Sequence, residues 1–270
     1  MRVRRCRSRK NDPRPLIKRN LLFASAILSL GLIFPVAARA QLVAAATLET
    51  QYRLRGVALS NGEPDLRLAL SYDHSSGAYG GVSAIGGETD RDGVQPLGYI
   101  GYVGFAAQTQ AGFGWDVGAT ESDLTLYLPA QRTIRSAQND ITTQTYTHRY
   151  DAEYTEVYGG VSMGDIGAHL YFSPDYLHQN LRTAYLDVTA TSRPLSWLRV
   201  FGHVGALTPI EGSAPASSDR EHFDLGVGAA WEFRHGELQL AWTGTTPHVE
   251  YPVGYRQASN ALILSLTGFF

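Results

Sequence analysis

His74-Ser75-Ser76-Gly77 places an imidazole and two hydroxyls within four residues, the side chains of a nucleophile and its base. Acyl-transfer chemistry of that kind needs the hydroxyl against the ring and a third polar group to orient the imidazole. Ser and Gly are also ordinary turn residues, and this stretch separates two alternating segments, so it reads as a turn. Glu88-Thr89-Asp90-Arg91-Asp92-Gly93 carries acids and a glycine as calcium loops do, but it lacks their full ligand set and reads as a solvated loop. No catalytic residue, metal ligand or cofactor is expected. The only cysteine, Cys6, lies in the leader described below, which leaves no thiol for a disulfide, a zinc site or a nucleophile.

These residues sit among twelve segments of strand character. The first spans about 44–58, with Leu48, Tyr52 and Leu54 on one face and Glu49, Gln51, Arg53 and Arg55 on the other. The second, 65–73, sets Leu66, Leu68, Leu70 and Tyr72 against Asp65, Arg67, Ser71 and Asp73. Two-faced segments follow at 113–128, 166–173, 184–191, 223–233 and 238–243, with glycine-rich ones at 79–85, 97–105, 154–163 and 198–206. The last puts Leu262, Leu264, Leu266 and Phe270 on one face. Period-two alternation marks a wall with two different faces. Short connections, at 75–77, 106–110, 164–165, 193–196 and 234–236, take turns with longer ones at 59–64, 88–96, 129–149, 174–180, 208–220 and 246–257. An outer-membrane barrel sorts its loops in this way, with short periplasmic turns and long external loops. The expected fold is therefore all-β, an antiparallel up-and-down transmembrane β-barrel of twelve strands with periplasmic termini, occupying residues 41–270.

Residues 1–40 support that address. Arginines and lysines precede the apolar run 21–34, and Ala38-Arg39-Ala40 closes it as a cleavage site, so a signal peptide cut after Ala40 is expected. Fourteen apolar residues are too few for a spanning helix. The leader holds ten of the 23 Lys and Arg and one of the 25 Asp and Glu, leaving 13 bases, all arginine, against 24 acids and a net charge of −11. That balance excludes a nucleic-acid binder, which needs a basic face for phosphates.

Charge on the lipid side of a barrel costs about 2–4 kcal/mol at the midplane, so charged positions on the alternating segments should face the lumen. The candidates are Glu49, Arg53, Arg55, Asp65, Arg67, Asp116, Glu156, Asp187, Asp224 and Glu232. They could form a selectivity lining or an internal salt-bridge network that plugs or braces the barrel. Both readings stay open. Arg132, Arg135, Arg149, Arg182, Arg220 and Arg256, with Arg91, fall in or beside the longer loops. There a guanidinium could grip lipopolysaccharide phosphate bidentately, although long loops gather polar residues of every kind.

Tyr52-Arg53-Leu54-Arg55-Gly56 followed by Ser60-Asn61-Gly62-Glu63-Pro64 resembles the opening of a largely uncharacterised bacterial family of TorF-type porins. Trp115-Asp116-Val117-Gly118, Glu156-Val157-Tyr158-Gly159-Gly160-Val161 and Ser173-Pro174-Asp175-Tyr176 are similar to its later strands. The resemblance implies an outer-membrane barrel with a pore and supplies neither substrate nor catalytic residues. His74-Ser75-Ser76-Gly77 is also similar to the His-x-Ser-Asn-Gly signature of outer-membrane phospholipases, likewise twelve-stranded, but the Asn is missing and the turn falls on the expected periplasmic side. An aromatic final residue is, in bacterial barrels, a signal to the insertion machinery, so that likeness implies such a partner for the strand ending at Phe270. The expected function is passive diffusion of small polar solutes, with cations preferred. The alternative is a non-conducting barrel, either a structural or surface-interaction protein or a lipid-acting enzyme.

Overall fold

The computed structural model describes residues 41–89, 93–135, 141–212, 221–246 and 259–270, with backbone alone for 128–135 and 141–148. The expected signal peptide lies outside the described residues. In chain order the strands are β1 (Gln41–Glu49), the short β2 (Arg53–Leu54) and β3 (Val57–Ala58), β4 (Asp65–Asp73), β5 (Ala78–Thr89), β6 (Gly93–Gln108), β7 (Phe113–Arg135), β8 (Ile141–Met163), β9 (Ile166–Ser173), β10 (Leu181–Leu195), β11 (Leu198–Gly212), β12 (His222–Phe233), β13 (Gly236–Thr245) and β14 (Asn260–Phe269). Twelve of them, all but β2 and β3, form one closed antiparallel barrel. Each wall strand pairs with the next, and β1 shuts the ring on β14, with Ala45 opposite Phe269 and Glu49 opposite Ser265.

Alternation decides which way the wall faces. On β4, Leu66, Leu68 and Leu70 are exposed while Asp65 is buried; on β12, Phe223, Leu225 and Val227 are exposed while His222 and Asp224 are buried. The same inversion holds for Leu238 and Leu240 against Gln239, and for Leu264 and Leu266 against Ser265. A continuous apolar exterior of this extent does not face water; it fits lipid, with the polar face turned inward. Exposed aromatics collect in two belts. Tyr72, Phe105, Trp115, Trp197, Trp231 and Phe233 ring the end with the short turns, and Tyr99, Phe172, Phe223 and Trp242 ring the other. Phe223 and Trp231 lie on one strand, about 26 Å apart along it at ~3.3 Å per residue, comparable to the ~25 Å apolar band of an outer-membrane barrel. Val227, midway between them on β12, is therefore expected to lie near the midplane. Val227→Arg should cost about 2–4 kcal/mol, read as a lower urea midpoint for unfolding from lipid vesicles; a midpoint equal to that of Val227→Leu would remove lipid from the outward face.

Four expected boundaries are corrected. The first wall strand ends at Glu49, not at residue 58, and residues 50–64 turn into the lumen. The cause is a chain reversal that alternation does not reveal: Leu54 and Val57 pair across Arg55-Gly56, whose φ values of 50° and 78° make a two-residue type I′ hairpin turn. The expected loop 129–149 is mostly strand, because β7 and β8 keep pairing from Phe113 opposite Met163 out to Arg135 opposite Ile141. Likewise β5, β6 and β11 run into the expected loops 88–96 and 208–220. Asp90, Arg91 and Asp92 of the calcium-like stretch lie outside the described residues.

Candidate functional site: a plugged lumen

The hairpin β2–β3 fills the barrel at the long-connection end. Its neck is pinned by Leu59 N donating to Tyr52 O at 2.9 Å and Tyr52 N donating to Ser60 Oγ at 3.0 Å. Tyr52, Leu54 and Leu59 pack inward with Ile85, Leu97, Ile100, Leu124 and Leu126 of β5, β6 and β7. Arg53 folds back on its own hairpin, with Nη1 donating to Gly56 O at 3.1 Å and Nε to Gln51 Oε1 at 3.1 Å.

Arg55, at the hairpin tip, reaches the opposite wall. Nη1 donates to Glu156 Oε1 at 2.8 Å and Nη2 to Oε2 at 2.6 Å, a bidentate pair in which both side chains are buried. Four tyrosine rings surround the guanidinium: Tyr185 with its centroid 4.0 Å from Cζ, Tyr171 at 5.4 Å, Tyr154 at 5.8 Å and Tyr176 at 6.0 Å. Tyr154 and Glu156 come from β8, Tyr171 from β9 and Tyr185 from β10, all on inward parity. Tyr176 comes from the 3-10 turn Tyr176–His178, which folds inward between β9 and β10 and meets Tyr154 edge-on at 4.6 Å. Burial pulls the Arg55 pKa down, but the Glu156 carboxylate and the tyrosines outweigh it and hold the guanidinium charged even more firmly than a free arginine. His222 Nε2 donates to Arg55 O at 2.8 Å. Gly56 is pressed against the wall, where a Cβ would stand 2.7 Å from Thr245 Cβ. The turn therefore requires glycine for its positive φ and for this close approach.

Beside the plug and below it, further networks line the inner wall. Arg67 donates to Glu49 at 3.2 Å, as does Ser265 at 3.1 Å, with Asp65 buried on the same side. Tyr79 donates to Asp116 at 2.9 Å, so Tyr158, 2.6 Å away, donates to Tyr79, and His169 completes the group on Asp116 at 3.1 Å. His203 bridges Asp187, at 2.6 Å, and Asp224, which Tyr185 also touches. At the short-turn mouth Arg199 holds Glu232 at 3.0 Å and Glu237 at 2.6 Å, while Arg193 adds a second grip on Glu232. Inward glycines make room for these side chains. A Cβ on Gly160 would collide with His169 and Asp116, and one on Gly205 with Tyr185 and Asp224.

All ten expected lumen residues point into the barrel, but two of them not from its wall: Arg53 and Arg55 belong to the hairpin. Alternation missed Arg199, His169, His203, His222 and the tyrosine cage. Their signal was inward parity, as in Tyr154-x-Glu156-x-Tyr158. Among the outer arginines, Arg149 pairs with Asp151 at 2.9 Å and Arg182 with Glu211, all exposed. Arg132 and Arg135 lie on β7 and not in a loop; Arg220 and Arg256 lie outside the described residues. The His74–Ser76 pair, 2.8 Å apart, sits on the exposed turn between β4 and β5, where Ser76 N donates back to His74 Nδ1 and Ala78 N donates to Ser76 Oγ. These bonds shape a turn.

A family model described as a bacterial protein of unknown function, Gcw_chp, matches residues 36–262. Comparison with curated proteins finds no match. Among solved structures the chain is similar to the outer membrane channel DcaP of Acinetobacter baumannii, at 11% identity and a TM-score of 0.40, covering 86% of this chain and 97% of that one. It is also similar to OmpT, an outer membrane protein of Vibrio cholerae, at 10% identity and a TM-score of 0.37, covering 86% and 99%. OmpF of Salmonella typhi, in complex with daunomycin, follows at 9% identity and a TM-score of 0.37, covering 86% and 97%.

Proposed function

The chain belongs to Gcw_chp, a bacterial family of unknown function, and from the geometry of its lumen we propose that it is an outer-membrane channel for small polar solutes whose resting state is closed by residues 50–64. The observation that carries this reading is the hairpin itself. It is a separate two-stranded unit, tethered at one end of the barrel and docked in the lumen by side chains, while the wall closes without it. The porin-like character suggested by the motif resemblance belongs to this proposal, as do export through a signal peptide of residues 1–40, an encounter with the insertion machinery through the last strand, and external contact of Arg132, Arg135, Arg149, Arg182, Arg220 and Arg256 with lipopolysaccharide. The role is transport and not catalysis.

The charge left behind supports a preference for cations. Glu49, Asp65, Asp116, Glu156, Asp187, Asp224, Glu232 and Glu237 belong to the wall. Arg53 and Arg55 leave with the hairpin, so an open lumen is more acidic than a closed one, and rings of carboxylate favour cations. Docking also accounts for a closed resting state. Burying Tyr52, Leu54 and Leu59 is worth about 1.5–3 kcal/mol each, and ~4 kcal/mol already holds spontaneous opening near one part in a thousand. Purified protein in planar bilayers is therefore expected to be quiet, with rare openings whose reversal potential lies on the cation side. Silence that persists after the hairpin is removed, in protein shown to be folded by its heat-modifiable migration, would overturn the channel reading.

A further inference from the structure

We propose that the Tyr154, Tyr171, Tyr176 and Tyr185 cage with Glu156 is a binding site for guanidinium-bearing solutes, which Arg55 occupies as a tethered internal ligand. The argument is one of composition and geometry. A carboxylate that accepts two parallel N–H bonds at 2.8 and 2.6 Å selects a planar fork. Aromatic faces within about 6 Å of a cation attract it, more strongly when the site is dry. Here four rings lie within 4.0–6.0 Å of one guanidinium carbon. Four separate elements, β8, the 3-10 turn, β9 and β10, converge to supply them. Bracing a hairpin requires none of this selectivity, since an apolar tip would dock as well and bury no charge. The backbone reinforces the point: Leu177, next to Tyr176, holds φ of 56°, a conformation unfavourable for leucine, in the connection that carries the ring into the lumen.

A soluble guanidinium compound that displaces Arg55 leaves the hairpin without its tip contact, so binding at the cage and opening of the lumen are coupled. This coupling rests on the channel reading; the binding site itself does not. An internal competitor lowers apparent affinity by the fraction of time that the cage is empty.

The test measures calorimetric binding of arginine amide to detergent-folded wild type, Arg55→Ala and Arg55→Lys, with citrulline amide as the uncharged isostere and tetramethylammonium as a cation without a fork. Arg55→Ala should bind arginine amide at least about tenfold more tightly than wild type, with citrulline amide and tetramethylammonium much weaker. Glu156→Gln in the Arg55→Ala background should abolish the gain. Arg55→Lys keeps a tethered charge and so guards against loss of folding; its single ammonium cannot fill the fork, and it too should bind arginine amide more tightly than wild type. If neither Arg55 variant gains affinity, or if the citrulline compound binds equally, the proposal is wrong. Bilayer recording separates the two readings. Binding by Arg55→Ala without current in any variant sinks the channel and leaves the site, whereas current from hairpin-free protein without binding sinks the site and leaves the channel.

Discussion

Replacing residues 51–62 by a short glycine-serine linker should turn a quiet barrel into a conducting one. If docking holds the closed state at about a thousand to one, removing the hairpin should raise the time-averaged current by roughly two to three orders of magnitude. The linker also removes Arg53 and Arg55, so the reversal potential across a salt gradient should move further to the cation side than in the rare openings of the whole chain. The wall pairs continuously from β1 through β4 to β14 without the hairpin, and heat-modifiable migration should therefore survive. Current no greater than that of wild type would mean that the networks of Tyr79, Asp116 and His169 and of Asp187, His203 and Asp224 close the barrel by themselves, and would overturn the channel reading.

The second large effect concerns Glu156. Removing one partner of a buried ion pair typically costs about 3–5 kcal/mol because the other charge is stranded. In Glu156→Ala that stranded charge is Arg55, amid tyrosines, and the low-cost escape is for the hairpin to leave the lumen. Trypsin cleavage after Arg53 or Arg55, mapped by mass on folded protein, should accelerate by about two to three orders of magnitude. The double change Arg55→Met with Glu156→Leu should recover much of the protection at Arg53, since an apolar pair of similar volume strands nothing. Equal cleavage of wild type and Glu156→Ala would show that the Tyr52, Leu54 and Leu59 face alone holds the hairpin.

Why the hairpin escaped sequence reasoning is instructive. From Leu48 to Arg55 apolar and polar residues alternate except at Thr50, a residue that strands accommodate, and alternation cannot distinguish a strand that stays in a wall from one that doubles back inside it. The only local sign of reversal is Gly56, and a glycine within an alternating run reads equally as a bulge or a turn. Facing, by contrast, was legible, because lipid penalises every misplaced charge: Asp65, Glu156, Asp187 and Asp224 are buried on the inner face, and Asp116 and Glu232 bond Tyr79, His169 and Arg199 there. The ion pairs were not legible, since Arg55 and Glu156 lie 101 residues apart and meet only when the barrel curls. In hindsight, three of the stretches that carried the family resemblance, around Arg55, Glu156 and Tyr176, meet in one place, the cage.

The long pairing of β7 with β8 has a different consequence. The β6 partnership of β7 stops at Leu124 and the β9 partnership of β8 stops at Val157, so among the described residues Thr125 to Arg135 pair with β8 alone. Eleven residues at ~3.4 Å make a ribbon of about 37 Å, longer than the ~25 Å lipid-facing band is tall. Closure of a barrel abolishes free strand edges; this ribbon restores two, each a row of backbone donors and acceptors on which another molecule could template itself. Its composition works against that outcome. Between residues 131 and 149 threonine, glutamine and arginine dominate, with Arg132 and Arg135 near the tip, and charge and polarity are the ordinary means of keeping an open edge from aggregating. Exchanging those two arginines for valine would leave the barrel as it is and make the ribbon adhesive.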